Sequence, residues 1–354
     1  MQELPLRPHH EARGASFRVE AGWTVPAGYG SLDEEVRAAH EHAGMVDSSD
    51  RAKIELTGSE RLPFLDGLVT SDLKILTPGT SGYALLLNEK SRVLGDLRVY
   101  VLPDSLVLDL GAAQKEGVLR ILEKARVSDD VEFRDLGAVG HIDVYGPDSS
   151  TTIGKVLSLD VKSLTPDSFL TIPQKPRGQS YVAAIRSHPL TAYAIWSADA
   201  DLSREWEALS RAGVRPIGRD AMDVLRIEAG IPGFGADMGE DTLALEVAPE
   251  SALSFTKGCY VGQEIVARGT YVGQVRRKLL GLQVDGEVVP AHGDRISKGG
   301  REVGLVTSAA WSPTFERVVA LGILRLDAVS RDDWLSIGHD GQDLRARIGS
   351  VPFA

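Results

Sequence analysis

The amino-acid sequence predicts an α+β protein with two sheet-bearing domains of split β-α-β type and a C-terminal β-barrel. Three observations support this prediction. A β-α-β-β-β-α-β order of elements over residues 51–136 is partly repeated over residues 141–212. One strongly amphipathic helix follows. Beyond Lys278, helix signals give way to short apolar runs separated by Gly, Pro and Asp turns, which is typical of a small barrel.

A capped helix precedes the first set of elements. Ser31 is followed three residues later by Glu34, a capping-box spacing, and we expect the helix to end at Gly44. Alternating apolar residues over 51–57 then predict a strand. The remaining elements predicted here are strands at 83–87, 93–102, 106–110 and 131–136, a short helix after Gly58, and a helix at 112–125.

The second set of elements begins with a short pattern also present in the first. Ile54–Glu60 and Ile142–Asp148 both read apolar, acidic, apolar, any, Gly, any, acidic. This match favours an internal duplication, with a chance match as the alternative. Strands are predicted at 141–144, 181–186 and 191–196, a helix at 201–212, and an irregular loop at 164–180.

The strongest helix signal lies at 216–230, where Pro216 is near the start and Gly230 is at the end. Its apolar stripe is formed by Ala221, Val224, Leu225 and Ala229.

We divide the chain into three domains. The first α+β domain is predicted to comprise 1–50 with 138–230, the second 51–137 with 231–275, and the barrel 276–354.

Composition and charge exclude several classes of function. The 354 residues include 39 Lys+Arg and 50 Asp+Glu, a net charge of −11, which argues against a DNA duplex as partner. Cys259 is the single cysteine, so no intramolecular disulfide is possible. The first thirty residues contain no apolar signal segment, and no apolar run approaches the ~20 residues of a membrane span. We therefore expect a cytoplasmic protein without membrane contact.

The densest chemical motif surrounds that cysteine. In Lys257-Gly258-Cys259-Tyr260-Val261-Gly262-Gln263-Glu264, glycines flank the thiol and a lysine lies two residues before it. The lysine would favour the reactive thiolate. The alternative is a buried and inert cysteine. We expect no metal site, since His40 and His42 are two residues apart on a helix and face different sides.

This motif resembles the signature of YgfZ-type folate-binding proteins, which belong to the superfamily of the glycine-cleavage aminomethyltransferase, or T-protein. Two further segments resemble the same family in the same order. Asn88-Glu89 is followed by Gly95-Asp96-Leu97-Arg98-Val99-Tyr100, and Asp223-Val224-Leu225-Arg226-Ile227-Glu228-Ala229-Gly230 lies further along the chain.

The resemblance implies a clover-leaf of three domains around a central hole that binds tetrahydrofolate or its formyl or methylene derivative. It also implies support of iron–sulfur protein assembly or repair and of the tRNA modification that depends on it, with iron–sulfur client or assembly proteins as partners. Two alternatives stay open. One is a folate-dependent aminomethyltransferase, against which Gly95 and Gly111 stand where those enzymes carry Asp and Asn. The other is a non-catalytic interaction scaffold.

The resemblance also implies roles for individual residues. Glu228 would accept hydrogen bonds from the pterin ring. Asp96 would lie by the folate N10 and assist proton transfer there. Tyr83 and Tyr100 would line the folate slot, or would serve only in sheet packing.

The remaining implied roles concern reactive and basic side chains. Lys257 and Cys259 would be the reactive pair of the motif. Candidates for the folate's anionic tail are Arg268, Arg276, Arg277 and Lys278.

Overall fold

The computed structural model describes residues 1–173, 180–185, 190–197, 199–271 and 275–353. The strands are β1 Gln2–Glu3, β2 Ser16–Glu20, β3 Trp23–Gly28, β4 Gly44–Asp47, β5 Ala52–Thr57, β6 Thr80–Leu87, β7 Val93–Val101, β8 Leu106–Leu110, β9 Glu132–Asp135, β10 Gly140–Tyr145, β11 Phe169–Thr171, β12 Tyr181–Ile185, β13 Ala192–Ser197, β14 Arg215–Pro216, β15 Arg277–Val284, β16 Arg295–Lys298, β17 Arg301–Ser312, β18 Arg317–Arg325, β19 Trp334–His339 and β20 Gln342–Gly349. The helices are α1 Arg7–Ala12, α2 Leu32–Glu41, α3 Arg61–Asp66, α4 Lys115–Ala125, α5 Ser149–Leu157, α6 Asp199–Arg211, α7 Arg219–Ala229, α8 Ala244–Val247 and α9 Gln263–Tyr271. Short 3₁₀ turns lie at Leu73–Ile75, Ala112–Gln114, Val161–Ser163 and Glu250–Ala252.

The chain divides into two compact units. The first contains Met1–Asp66, Asp72–Ala84 and Asp96–Met222. The second contains Gly67–Ser71, Leu85–Gly95 and Asp223–Ala354. The three-domain division expected from the sequence stays a prediction.

The predicted α+β class with a C-terminal barrel is confirmed. Within the described ranges, two large mixed or antiparallel sheets have the orders β11-β12-β13-β10-β4-β14 and β6-β7-β8-β5-β9, and a small sheet has the order β1-β3-β2. The barrel is closed, with the order β15-β18-β17-β16-β19-β20. Its interior is filled by aliphatic side chains such as Leu282, Ile296 and Val306.

The two large sheets share a neighbour order, which supports the duplication. In one, β5 lies between β8 and β9, and in the other β10 lies between β13 and β4, with all four pairings antiparallel. The glycine of each seven-residue match has a positive φ, 98° at Gly58 and 118° at Gly146. A Cβ at either position would clash with a backbone carbonyl, that of Asp130 or of His42. Both matches therefore meet the same steric requirement.

The helix after Ser31 begins as predicted and ends earlier than expected. The Ser31 side chain accepts a hydrogen bond from the Glu34 amide at 3.4 Å, and α2 stops at Glu41. Gly44 does not end this helix, because it is the first residue of β4. A Cβ there would lie 3.1 Å from the Ile217 side chain, so close packing accounts for this glycine.

Two other expectations need correction. The loop predicted for 164–180 contains β11, whose Phe169 is buried in an aromatic cluster; residues 174–179 lie outside the described residues. The helix predicted from Pro216 starts at Arg219, since Pro216 pairs with Met45 in the sheet instead.

None of the helices in the described residues has the length and apolar character needed to cross a membrane.

Strand alternation gives the first large sheet two different faces. On β10, Ile142 and Val144 belong to the apolar core that surrounds Trp206 of α6. The intervening His141 and Asp143 project to the opposite face, where they are also buried. These two side chains belong to the charged network described below.

Candidate functional site

Asp96 is held in place by two neighbours in the first unit. Its Oδ2 accepts a hydrogen bond from the Tyr83 hydroxyl at 3.1 Å, and its Oδ1 accepts one from Gln114 Nε2 at 2.8 Å. The Asp96 backbone amide donates to Gln114 Oε1, also at 2.8 Å. Gln114 therefore fixes both the backbone and the carboxylate of Asp96. The carboxylate remains partly exposed.

The phenol of Tyr83 stays a donor in this arrangement. Burial raises its pKa well above the ordinary value, and the negative charge and hydrogen bond of Asp96 raise it further. A protonated phenol donates its hydrogen and leaves the carboxylate as the acceptor. The structure thus brings together two of the residues selected from the sequence, Tyr83 and Asp96.

A buried charged network lies on neighbouring strands of the same sheet and was not predicted. Lys53 Nζ and Arg51 Nε both donate to Asp109 Oδ1, at 2.8 Å and 2.9 Å. Burial alone would raise the pKa of Asp109, but the charges of Arg51 and Lys53 outweigh it and hold this pKa below its ordinary range. The positive charge of Arg51 also acts on Asp96 and Tyr83.

The network continues to the other large sheet. Lys53 Nζ lies 3.2 Å from His141 Nδ1, and His141 Nε2 lies 2.9 Å from Asp143 Oδ1. A protonated amine only donates, so Nδ1 is the acceptor, and the histidine proton on Nε2 is donated to Asp143. Ser48 donates to the other Asp143 oxygen at 2.6 Å. A signal was present in the sequence, since Lys53, Asp109 and Asp143 interrupt apolar strands, but their partners depend on tertiary pairing.

Tyr100 lies in the aromatic part of this interior. Its ring centroid is 4.3 Å from that of Trp196 and 5.6 Å from that of Phe169. In the part of the chain that the structure describes, the Tyr100 hydroxyl and the Trp196 Nε1 are buried without a hydrogen-bond partner. The tyrosine has a packing role, and its place in a folate slot stays a prediction.

Glu228 lies in the second unit, near the end of α7, and is 4 % exposed. The Ser312 hydroxyl donates to Glu228 Oε1 at 2.5 Å, and the Glu228 backbone carbonyl accepts from the Phe353 amide at 2.8 Å. These contacts fix the carboxylate against the barrel strand β17. Its predicted role as the pterin acceptor stays a prediction.

The cysteine motif forms a loop that is anchored on both sides of an exposed thiol. Lys257 is 8 % exposed, and its Nζ donates to the carbonyls of Val69 at 2.8 Å and Ser71 at 2.7 Å. Tyr260 is also buried. Between them, Cys259 is exposed, so it is not the buried and inert cysteine of the alternative interpretation.

Glycine 262 completes the anchoring of this loop. It has a φ of 81°, and a Cβ there would lie 2.7 Å from the Asn88 carbonyl oxygen. Its own carbonyl accepts a hydrogen bond from the Ser91 hydroxyl. The glycine is thus required by a close backbone approach.

Two further expectations concern charged ligands. Among the residues proposed for an anionic tail, Arg277 is engaged by Glu246, with Nε–Oε1 and Nη2–Oε2 distances of 2.9 Å and 3.1 Å. The side chain of Arg268 lies outside the described residues. Across the described ranges, no three His, Cys, Asp or Glu side chains are grouped as a metal site requires.

Comparison with known sequences accounts for almost the whole chain. The family model described as GCVT N-terminal domain matches residues 6–257, and the Glycine cleavage T-protein C-terminal barrel domain matches residues 277–354. An aminomethyltransferase of Geobacillus thermodenitrificans is 28% identical over 360 residues, covering 100% of this chain and 98% of that protein. One from Thermotoga petrophila is 30% identical over 367 residues, with the same coverage of 100% and 98%.

A solved structure shares the fold. The glycine cleavage system aminomethyltransferase T from Bartonella henselae superposes with a TM-score of 0.91 at 24% identity, covering 100% of this chain and 98% of that one. Aminomethyltransferases of this kind use tetrahydrofolate as the carrier of a one-carbon unit. With both family models matched in sequence over nearly its full length, this chain belongs to the glycine cleavage T-protein family.

Proposed function

We propose that the chain binds tetrahydrofolate and acts as a folate-dependent aminomethyltransferase in which Asp96 transfers the proton. The observation that carries this proposal is the fixed geometry of Asp96, which Tyr83 and Gln114 hold from two sides. The family membership and the names of the relatives support the same class of reaction.

The residues present fit a reduced folate. A carboxylate has about four lone-pair positions, and each oxygen of Asp96 accepts one described hydrogen bond. A position on each oxygen therefore remains to accept from a ligand N–H. The partial exposure of Asp96 allows that ligand to approach.

The chemistry of Asp96 follows from this arrangement. Bound tetrahydrofolate would supply the nucleophilic nitrogen and accept the one-carbon unit. Asp96 orients that nitrogen by accepting its N–H and takes up the proton as the nitrogen bonds to the methylene carbon, while the bond from that carbon to its amino group breaks and ammonia leaves. Tyr83 and Gln114 keep the carboxylate oriented before the transfer, because each donates a hydrogen bond to one of its oxygens.

The Asp96→Asn variant tests this role. We expect methylene-tetrahydrofolate formation with a lipoylated aminomethyl carrier to fall by about 10²–10⁴-fold, the usual contribution of a positioned acid–base group. Folate binding, measured by calorimetry, should change only severalfold. Asp135→Asn is the matched control, because Asp135 lies on the same sheet but pairs with Lys115. An unchanged rate in Asp96→Asn would contradict the proposal.

A second candidate function rests on the exposed thiol. We propose, as the alternative, a YgfZ-type protein that supports assembly or repair of iron–sulfur proteins, and through them tRNA modification. Cys259 is presented at the surface of an anchored loop, where it supplies one ligand or one redox-active thiol. A cluster usually needs four protein ligands, so client or assembly proteins would supply the others.

The Cys259→Ser variant separates the two candidates. The alternative expects cells carrying it to lose iron–sulfur enzyme activity, whereas aminomethyl transfer by the purified variant stays unchanged. Ser251→Ala, an exposed change elsewhere in the second unit, serves as control. Normal iron–sulfur enzyme activity with Cys259→Ser would remove the alternative.

In both candidate functions, Glu228 has the predicted role of accepting hydrogen bonds from the pterin ring. Glu228→Gln replaces one acceptor oxygen by an amide donor while keeping its size. We expect tetrahydrofolate affinity to fall at least tenfold with the melting temperature nearly unchanged. An equal affinity in wild type and variant would remove Glu228 from the folate site.

A further inference from the structure

The outer surface of the barrel carries a groove with an exposed aromatic ring. A cavity of about 360 Å³ is lined by Gln283, Arg331, Asp332, Trp334, Arg347, Ile348, Gly349 and Ser350. Trp334 is 48 % exposed, although tryptophan normally buries most of its surface. This volume is at the lower end of that of small-molecule sites.

Two arginines that line this groove, and a third that shares the acceptor Gln283 with one of them, lack an acidic partner. Across the described residues, Arg317, Arg331 and Arg347 have no carboxylate within salt-bridge distance. This is unexpected in a chain with 50 acidic and 39 basic residues. Although the chain has more carboxylates than basic groups, no ion pair neutralises the positive charge of these guanidinium groups in the described structure.

Gln283 holds two of these arginines side by side. Its Oε1 accepts from Arg347 Nε at 3.1 Å and from Arg317 Nη1 at 3.3 Å. Two like charges fixed on one acceptor repel each other in the free protein. An anion bound between them relieves that repulsion and accepts two-pronged hydrogen bonds from their remaining N–H groups.

Trp334 adds a flat apolar surface to this positive groove. The guanidinium carbon of Arg345 lies 3.4 Å from the centroid of the Trp334 ring and covers one face. The indole stands directly opposite Arg347 in the pairing of β19 with β20. The indole is therefore the cross-strand neighbour of Arg347, so a flat ring stacked on its other face would lie beside an anion bound at that arginine.

The carboxylate of Asp332 restricts the class of ligand that fits the groove. Asp332 lines the same cavity and is exposed. A carboxylate repels an anion but accepts hydrogen bonds from hydroxyl or amino groups. A ligand that satisfies the ring, the arginines and the carboxylate together carries a flat ring, a phosphate and neutral donors.

We propose that this groove on the barrel binds a ribonucleoside phosphate, with its base on Trp334, its phosphate at Arg317 and Arg347, and its hydroxyl or amino groups on Asp332. This inference does not depend on the folate proposal, because the groove uses other residues. The same chemistry is offered by a free nucleotide and by one unit of a single-stranded RNA.

The test titrates the full chain with adenosine 5′-monophosphate, a short single-stranded oligoribonucleotide and inorganic phosphate, followed by calorimetry and tryptophan fluorescence. We expect the nucleotide or the oligonucleotide to bind at least tenfold more tightly than inorganic phosphate. Tighter binding of the oligonucleotide identifies RNA as the source, and equal binding identifies the free nucleotide.

Variants assign the binding to the groove. We expect Trp334→Ala to weaken nucleotide binding about 5- to 100-fold, the range for loss of one stacked base. Arg347→Gln should weaken it at least fivefold and reduce its salt dependence. Arg295→Gln is the matched control, because Arg295 lies on the same barrel, is exposed and pairs with Glu302.

Three results would overturn the inference. The first is that no probe binds at millimolar concentration. The second is that inorganic phosphate binds as tightly as the nucleotide. The third is that Trp334→Ala binds as wild type does while its melting temperature is unchanged. Folate binding of the same samples is measured in parallel, so that a misfolded variant is recognised.

Discussion

Lys53 Nζ lies 2.8 Å from Asp109 Oδ1, and the lysine side chain is fully buried. The pair joins the central strands β5 and β8 at directly opposed positions. Burial lowers the pKa of Lys53, and the neighbouring Asp109 charge partly restores it. The amine is held in the interior by its contacts with Asp109 and His141.

Removing the buried amine should destabilise the first unit. We expect Lys53→Met to lower the free energy of unfolding by about 3 kcal/mol, since it leaves His141 and part of Asp109 without a donor. Arg51 still contacts Asp109, which keeps the loss at the low end of the range for a broken buried pair. Urea unfolding followed by circular dichroism measures the change.

The matched control for this prediction is Lys115→Met. Lys115 and Asp135 have the same N–O distance of 2.8 Å, but both side chains are about a third exposed. Solvent screening should limit its effect to less than about 1 kcal/mol. Equal losses in the two variants would contradict a special contribution of the buried network.

The two buried aspartates should make stability depend on acid pH. Burial opposes ionisation of Asp109 and Asp143, but the charges of Arg51 and Lys53 lower the pKa of the first, and hydrogen bonds from His141 and Ser48 lower the pKa of the second. A carboxylate whose folded pKa is lowered stabilises the fold above its unfolded pKa of about 4, and this stabilisation is lost as the pH falls through the folded pKa.

Urea unfolding between pH 7 and pH 2 measures this dependence. We expect the free energy of unfolding to fall from about pH 5 downward, and the fall to be shallower in Asp143→Asn, which cannot titrate. Asp327→Asn, at an exposed pair with Arg325, provides the comparison. If Asp143→Asn and wild type lose stability in parallel, Asp143 does not contribute to the pH dependence.

Much of the fold followed from local patterns in the sequence. The Ser31 cap, the alternation of β5 and the turn-rich barrel depend on neighbouring residues, and the structure confirms each of them. The prediction that Gly44 ends a helix was wrong. A glycine is required there by the side chain of Ile217, which is far away in the sequence. Close approaches between distant segments leave no local pattern.

The candidate site was predictable to a smaller extent. The family resemblance selected Asp96 and Tyr83, and these two residues do contact each other. Gln114, which fixes Asp96, was not predicted, because its role depends on the 3₁₀ turn that follows β8. The charged network around Lys53 depends on a contact between the two large sheets. The spacing of residues along the sequence does not indicate that contact.

Gln114 should act on the reaction through Asp96. We expect Gln114→Leu to lower kcat of aminomethyl transfer about tenfold with little change in KM, because the Asp96 carboxylate and amide both lose a partner.

Gln114→Glu distinguishes positioning from packing. It keeps the size and the acceptor for the Asp96 amide but replaces the donor to the carboxylate by a like charge. Its kcat should therefore fall further than that of Gln114→Leu. An unchanged kcat in both variants would mean that Gln114 serves the fold alone.

Lys257 should stabilise the cysteine loop rather than activate the thiol. Its amine is buried and donates to the buried carbonyl of Val69 and the partly buried carbonyl of Ser71, and both carbonyls lose this donor in Lys257→Met. We expect that variant to lose about 2–4 kcal/mol of stability, because each unpaired buried acceptor costs about 1–3 kcal/mol. Below its melting transition, the rate of Cys259 alkylation by iodoacetamide at pH 7 should stay within twofold of wild type. A tenfold slower alkylation with unchanged stability would instead assign Lys257 to thiolate formation, as the motif alone had suggested.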